Sequence, residues 1–495
     1  CLSYPELSAK DFTDDRLGAL LDKLSDEEQW DNFEGTHNKN LIDLYDLAPQ
    51  QEAIRLDAML VQSFREEGEN FKLGYSKQHR ADLPQLKVMV ATLDPLSMPL
   101  SSTIVPGNKA DDGLYLEVVK KLEQSIGSKS QLFVGDAKMG SIANRAYLHK
   151  QGQYYLHPLS KVQCSADQLA TYLEDQPDEF VQIFADEKDA AQPPVLKAKA
   201  FEIQQDCYCK DLDLEWRERR IIAYSPSYGE QQNRKLEKRM AKAKEALGKL
   251  LEAKQGKKKL KTKSAVERAV EQLLKKYKVQ TFIEVEVKEQ LLSIPVRKYG
   301  KRPAGFKETR SFSLEVQIKQ EVLEKHRRNL GWRVYATNAP LEYMSTKQAL
   351  ICYRQEYRIE HKFNELLNKI TALMPVYLNK DNRIEALIRL LLLALKFVSV
   401  IQFEVRQELK SIGQQVKELY PGNPGRATDQ PTTRMILEAF RNITLVAISV
   451  QHQTIIKLSQ LKPIQLQLLK LLKLDPSVYT DLEQISFSDF HLGET

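Results

Sequence analysis

Leu132-Phe133-Val134-Gly135-Asp136-Ala137-Lys138-Met139 is the stretch on which the fold turns. A short apolar run with aromatic and β-branched residues stops abruptly at Gly-Asp. Such a run suits a strand covered on both faces, and the loops that leave strand ends are where open α/β sheets place their chemistry. Asp136 is then a carboxylate at the C-terminal end of a buried strand. The plainer role is a cap for the helix that begins near Ser141. Partners elsewhere in the chain decide between the two.

Upstream, Ala53-Ile54-Arg55-Leu56-Asp57-Ala58-Met59-Leu60 alternates, with Ile54, Leu56 and Ala58 on one side and Arg55, Asp57 and Met59 on the other. This sets an acid in mid-strand. Leu86 to Leu93 and Pro99 to Val105 read as a hairpin around Asp94-Pro95-Leu96-Ser97-Met98. Leu116, Val119 and Leu122 predict a helix before the Asp136 strand. A second helix, Ser141 to Lys150, precedes a short strand at Tyr154-Tyr155-Leu156. Three hairpin-built strands followed by strands with helical crossovers make a mixed sheet, and this order is that of an RNase H-like core. The predicted fold is therefore α/β: a five-stranded mixed sheet with helices on both faces.

The composition changes over residues 157–330, where β-rich segments such as Ile221-Ile222-Ala223-Tyr224 and Phe282-Ile283-Glu284-Val285-Glu286-Val287 surround two basic helices. Leu236, Met240, Ala243, Leu247 and Leu250 form the stripe of one helix; Val266, Val270, Leu273 and Tyr277 form that of the other. Together they predict a helical hairpin. Between Gly229 and Lys263 there are thirteen Lys and Arg against four Glu, with Lys257, Lys258 and Lys259 in a row. A cationic surplus of this size suits phosphate contact, although charge runs also serve as solvated faces.

The whole chain of 495 residues carries a net charge of +6, which permits a nucleic-acid partner without requiring one. Five cysteines without a CxxC pair exclude a zinc site of the usual spacing and suit a reducing, cytoplasmic setting. Ala386 to Phe403 is apolar enough to suggest a membrane span, but Arg389 and Lys396 interrupt it. A buried helix whose two cations reach the surface is the better expectation. Trp332 to Thr337 predicts a strand and Thr346 to Leu373 a long helix, with further helices over 382–410, 432–451 and 463–473.

On the long helix Tyr353, Glu356, Tyr357, Glu360 and Leu367 are spaced to share a face. Glu360 there could meet Asp57 and Asp136 across the top of the sheet. Three such acids repel one another unless cations neutralise them. Several ordered blocks resemble the DDE transposases of bacterial insertion sequences, in the RNase H-like subgroup with a β-rich insertion. These are Arg55-Leu56-Asp57, the polar block from Gly74 to Lys87, Val134 to Met139, Gly331 to Asn338, and Tyr353 to Phe363.

The resemblance implies that Asp57, Asp136 and Glu360 are the catalytic acids and hold two Mg²⁺ ions, for which Mn²⁺ can substitute. It implies cleavage at the terminal inverted repeats of a mobile element and joining of the freed 3′-hydroxyl to target DNA. The partners implied are double-stranded DNA and further copies of the chain in a synaptic complex, with no membrane; bound to DNA, the protein would sit on the bacterial nucleoid. Tyr353, Arg354, Tyr357, Arg358, Lys362, His79, Arg80, Lys138 and Trp332 are the expected DNA contacts, beside Lys257, Lys258 and Lys259. Trp332 and Tyr357 could stack on an unpaired base or belong to the core.

The family's helix signature, Tyr-x2-Arg-x3-Glu-x6-Lys, is kept here at Tyr353 and Glu360. Glu356 and Leu367 stand where Arg and Lys are expected. A DNA-binding protein that no longer cuts, and a nuclease without strand transfer, are accordingly the competing functions. The expected organisation is an N-terminal helical segment (1–50), the first part of the core (51–156), the insertion (157–330), the rest of the core (331–412) and a C-terminal helical region (413–495).

Overall fold

The computed structural model describes residues 9–47, 52–74, 80–109, 113–126, 129–184, 196–252, 260–296, 305–365, 373, 376, 378–450 and 453–484. Its contacts divide the chain into two compact units. The first comprises Cys1–Pro158, Gln205–Arg219 and Ala336–Thr495, and the second Leu159–Gln204 and Arg220–Tyr335.

The first unit opens with helices α1 (Asp14–Leu24) and α2 (Glu27–Leu44), the latter capped by Asp26, which accepts from the Gln29 amide at 2.9 Å. There follow β1 (Ala53–Gln62), β2 (Gln85–Leu93), β3 (Met98–Pro106), α3 (Leu114–Ile126), β4 (Leu132–Gly135), α4 (Ile142–Lys150) and β5 (Tyr154–Pro158). β2 lies antiparallel between β1 and β3, whereas β1, β4 and β5 run parallel. The resulting order, β3-β2-β1-β4-β5, is the RNase H-like arrangement expected from the sequence. The sheet is larger than the five strands foreseen: its hydrogen-bonded order continues through four more, numbered below.

One face of β1 and β2 is packed by a helix from the other end of the chain, α11 (Asp381–Ile412). Met59, Val61, Leu86, Val88 and Val90 meet Ile384, Ile388, Leu392, Leu395 and Val398. Each such side chain contributes about 1.5–3 kcal/mol when fully buried. β2 is buried along its entire length, as expected of a strand covered on both faces. α11 ends at Gly413, whose φ of 62° is the left-handed cap that suits glycine.

Arg389 and Lys396 of α11 do not reach the surface, contrary to expectation. Arg389 donates to the carbonyls of Leu24 and Ser25 at 3.3 and 3.1 Å, and the Lys396 ammonium donates to Asn38 Oδ1 at 2.7 Å. Polar groups of α1 and α2 thus satisfy them inside the unit. Burial lowers the Lys396 pKa to about 8, against the opposing pull of Glu34. Among the described residues no helix is long and apolar enough to cross a membrane.

The second unit holds α5 (Ala166–Glu174) and β6 (Val181–Phe184), then parts of β7 (Leu196–Cys209) and β8 (Leu214–Tyr224). After these come α6 (Pro226–Gly248), α7 (Lys263–Tyr277), β9 (Ile283–Val296), β10 (Gly305–Ile318), α8 (Gln320–Arg328) and the start of β11 (Trp332–Thr337). Strands β11, β8, β7 and β6 follow β5 in the large sheet. α6 and α7 form the expected hairpin, with Leu236, Met240, Ala243 and Leu247 against Val266, Val270 and Leu274. Among the described residues β9 and β10 pair with each other alone, from Ile283↔Ile318 to Val296↔Gly305. The inner half of this ribbon packs on the hairpin through Val285, Val287, Phe312 and Leu314. Its outer half exposes Leu291, Leu292 and Phe306.

Two expected helices differ. The long helix from Thr346 is two helices, α9 (Thr346–Arg354) and α10 (Tyr357–Asn364), and residues 366–372 lie outside the described residues. The helix expected over 432–451 stops early as α12 (Thr433–Phe440) and gives way to a hairpin, β12 (Leu445–Val450) and β13 (Gln453–Leu458). The β-branched residues Ile443, Thr444, Val446, Ile448 and Val450 explain the change, since restricted χ1 rotation favours strand over helix.

Candidate active site

The parallel register of β1 and β4 ends at the pair Leu56↔Gly135. Asp57 and Asp136 are the next residues on these neighbouring strands, whose axes lie about 4.8 Å apart. β1 continues along β2, with Asp57 opposite Val90, while the chain at Asp136 turns away. Two carboxylates are therefore delivered side by side because one strand stops where the other does not.

Asp136 is held from several directions. Its Oδ1 accepts from the Tyr115 hydroxyl of α3 at 2.7 Å and from the amides of Lys138 and Met139 at 2.9 and 3.4 Å. Asp136 does not cap the helix that begins near Ser141, the plainer role open to it from sequence: it caps its own turn, and the helix is capped by Ser141, which accepts from Asn144. Gly135 is required by close approach. A Cβ there would lie 2.5 Å from Met139 Sδ and 3.3 Å from the Leu56 carbonyl oxygen.

α9 and α10 meet at Gln355 and Glu356 in tight i→i+3 turns: Glu356 N donates to Tyr353 O at 3.0 Å and Ile359 N to Glu356 O at 3.2 Å. The break rotates the two helices relative to the single face drawn from a continuous helix. Tyr353 is buried and hydrogen-bonds the Glu356 side chain. Burial raises the Glu356 pKa, and the like charges of Glu360 and Asp136 add to the effect. Glu360 itself is exposed on α10, the helix that packs near β1.

The helix break is fastened to β1 by a buried ion pair. Arg55, two residues before Asp57, places Nη2 2.6 Å and Nε 2.8 Å from Asp94 Oδ2, and Nη2 also donates to the Cys352 carbonyl at 2.8 Å. Arg358 at the start of α10 reaches the same Asp94 oxygen at 3.5 Å. These bonds tie the end of α9 and the start of α10 to the strand of Asp57.

The remaining expected contacts are distributed unevenly. Arg354 and Lys138 are exposed, and Tyr357 is exposed with its ring edge-on to His361. Arg80 is exposed and chelates Asp82 in a bidentate pair. Arg358 is turned toward Asp94, and Lys362 is buried with its ammonium 2.8 Å from Glu365. The Lys362 ammonium is engaged by the partly exposed Glu365 carboxylate rather than presented to solvent. Trp332, in the second unit, sits among Phe180, Phe201 and Tyr224, its centroid 5.2 Å from that of Tyr224, with the Lys199 ammonium 5.7 Å away. It is partly buried there, packed against the cluster of Phe201, Ile222 and Val334. His79, Lys257, Lys258, Lys259 and Leu367 lie outside the described residues.

Two groups without a role in the site as read from sequence shape it, Tyr115 and Arg55, beside Glu356, which the sequence marks only as a departure from the family signature. Arg55 carried a signal, a cation on the same side of a mostly apolar strand as Asp57. Tyr115 carried none, because its partner is twenty-one residues away. The donor chemistry, all carboxylate oxygen, suits a hard divalent cation. Among the described residues, however, no three acidic, histidine or cysteine side chains stand close enough to hold a metal ion. The fold preassembles a pair, with further carboxylates on a separate helix.

A mixed sheet in this order, delivering acids at the end of β4 and beside it on β1, defines an RNase H-like α/β protein. The family described as Transposase DDE domain matches residues 49–397, and the chain belongs to it. Among solved structures, the piggyBac transposase in its synaptic complex with hairpin DNA is matched at 11% identity with a TM-score of 0.20. That match covers 33% of this chain and 32% of the other, so the chain spans about a third of that protein. No curated protein matches the chain.

Proposed function

We propose that this protein cleaves and joins DNA phosphodiester bonds at the ends of an insertion sequence, with Asp57, Asp136 and Glu360 as its catalytic acids. The observation that carries this reading is the adjacency of Asp57 and Asp136, one residue beyond Leu56↔Gly135, in a chain of the transposase family. Two Mg²⁺ ions held by the acids would activate the attacking oxygen and stabilise the leaving one. The chain's own contribution is positioning. Tyr115 and two loop amides hold Asp136 through Oδ1. Arg55 and Arg358 fix the helix break beside the acids.

DNA is engaged through the exposed Arg354, Tyr357 and Lys138, through Arg80, and through the cationic stretch around α6 and α7. Two element ends brought together imply a homo-oligomer on DNA, in the cytoplasm at the nucleoid. A second reading is favoured by Glu356: an acid of raised pKa where the family signature has Arg suits a descendant that binds DNA without cutting.

Incubation with the element's terminal DNA and Mg²⁺ or Mn²⁺, in parallel with Asp136→Asn, tests both. Cleavage and end joining that the variant loses support the transposase. Binding by both proteins with cleavage by neither supports the non-cutting descendant, and cleavage without joining supports a nuclease.

A further inference from the structure

β8 carries three consecutive buried charges, Glu218, Arg219 and Arg220. Glu218 is 1% exposed and bonds on both oxygens: Arg145 Nη1 lies 2.6 Å from Oε1, and the Tyr155 hydroxyl donates to Oε2 at 2.5 Å. Trp216 Nε1 in turn donates to the Tyr155 oxygen at 2.8 Å. The guanidinium so oriented spends its Nε–H on the carbonyl of Gly140, at 3.1 Å. Asn144, one residue earlier on α4, holds the Met139 carbonyl at 3.1 Å. Both carbonyls belong to the loop that leaves Asp136. That loop has no slack on its far side, where a Cβ on Gly140 would lie 2.3 Å from His157 Nδ1.

The next residue does comparable work elsewhere. Successive strand side chains point to opposite faces. Arg219 is 5% exposed, and its Nη1 donates to the carbonyls of Ala339 at 2.9 Å and Met344 at 2.8 Å. These carbonyls flank the turn that enters α9, whose start is fixed by the Ser345/Gln348 capping box. α9 is thus pinned ahead of its first turn by Arg219 and at its last turn by Arg55 through the Cys352 carbonyl.

We propose that Glu218 and Arg219 are positioning residues: adjacent side chains of one strand, of which Glu218, acting through Arg145, holds the loop of Asp136, and Arg219 holds the segment leading to the helices of Glu356 and Glu360. A buried ion pair could instead serve stability alone, and often contributes little. Here the bonds end on loop carbonyls of the two acid-bearing segments, which is where a stabilising pair has no need to reach. The inference deepens the transposase reading and rests on it for its catalytic meaning.

Hydrogen exchange separates the two roles without requiring activity. In Glu218→Gln the isosteric amide cannot accept from both Arg145 and Tyr155, so the loop amides of Lys138 and Met139 should exchange about tenfold faster, the loss of one charge-assisted bond. The melting temperature should fall, because Arg145 is left buried without its partner; in Glu218→Gln/Arg145→Met, where that charge is gone, it should return toward wild type while the fast exchange of Lys138 and Met139 persists. Arg219→Lys should accelerate exchange at Met344 and leave Lys138 unchanged, and Glu218→Asp should recover part of the protection. In the cleavage assay, Glu218→Gln should raise the Mg²⁺ concentration for half-maximal rate. Unchanged exchange at Lys138 and Met139 in Glu218→Gln, or wild-type exchange there once the double variant has restored the melting temperature, overturns the proposal. Failure of the wild-type chain to cleave refutes the transposase reading, and the exchange experiment still decides whether the two segments are braced.

Discussion

Arg55→Met is expected to be among the most damaging single substitutions in the catalytic core. The guanidinium is 2% exposed and Asp94 3%, so the pair is out of water on both sides. Removing the cation leaves Asp94 buried with Arg358 at 3.5 Å as its one cationic partner among the described residues and strips the Cys352 carbonyl of its donor. Breaking a buried pair from one side costs about 3–5 kcal/mol, because an uncompensated charge stays behind. Neutralising the partner as well should return a large part of this, since the charge is then gone: Arg55→Met/Asp94→Asn should lie within about 2 kcal/mol of wild type. Urea unfolding at pH 7, followed by circular dichroism and tryptophan fluorescence, measures each variant. A single variant that loses less than about 1 kcal/mol, or a double variant as unstable as the single one, would refute the assignment of a buried, charge-dependent tie between β1 and the α9–α10 break.

Other substitutions probe different links. Gly135→Ala forces a Cβ against Met139 Sδ at 2.5 Å and should cost about 1–3 kcal/mol in urea unfolding; an unchanged midpoint would mean the loop has room. Tyr115→Phe removes the hydroxyl bond to Asp136 and should cost about 1–2 kcal/mol while keeping the fold, to be read from melting curves beside the cleavage rate. For Lys396 the folded pKa of about 8 lies below the ordinary 10.5, so the folded state binds fewer protons between those values. Its burial penalty is fully present below pH 8 and fades as pH rises toward 10.5, which makes stability rise across that window. Between pH 7 and 9 wild type should therefore gain roughly 1 kcal/mol relative to Lys396→Met, and parallel curves would exclude this.

The central part of the fold was legible because its signals are local. Alternation in β1, the bounded run at β4 and the crossover helices each depend on a few consecutive residues, and their order alone implies the strand arrangement seen. The continuation of the sheet was not legible, since nothing local in β8 or β11 says which strand it will lie beside. The α9–α10 break was missed for a related reason: helical spacing from Tyr353 to Glu360 is uninterrupted by Gly or Pro, and the tie that bends it comes from Arg55, almost 300 residues earlier. The buried cations of α11 were misjudged because their acceptors, Asn38 and the Leu24 and Ser25 carbonyls, are supplied by distant helices. Of the candidate site, the adjacency of Asp57 and Asp136 follows from strand order, whereas the groups that orient them are tertiary accidents of sequence.

The β9–β10 ribbon poses a solubility problem of its own. Fourteen residues per strand give it a length of roughly 46 Å. As the two strands pair with each other alone among the described residues, both outer edges offer backbone donors and acceptors to a passing strand. Charge guards the inner portion, where Lys288 pairs with Glu315 across the ribbon and Lys319 lies 3.2 Å from Glu284. Farther out, Pro295 removes one amide donor, and Arg310 lies 3.3 Å from Glu289. Leu291, Leu292 and Phe306 are left in water between these gatekeepers. Substitutions that neutralise the charged pairs would leave the folded state nearly as stable and turn the ribbon into a template for intermolecular sheet growth, so the colloidal behaviour of this protein is governed by a segment remote in sequence from Asp57 and Asp136.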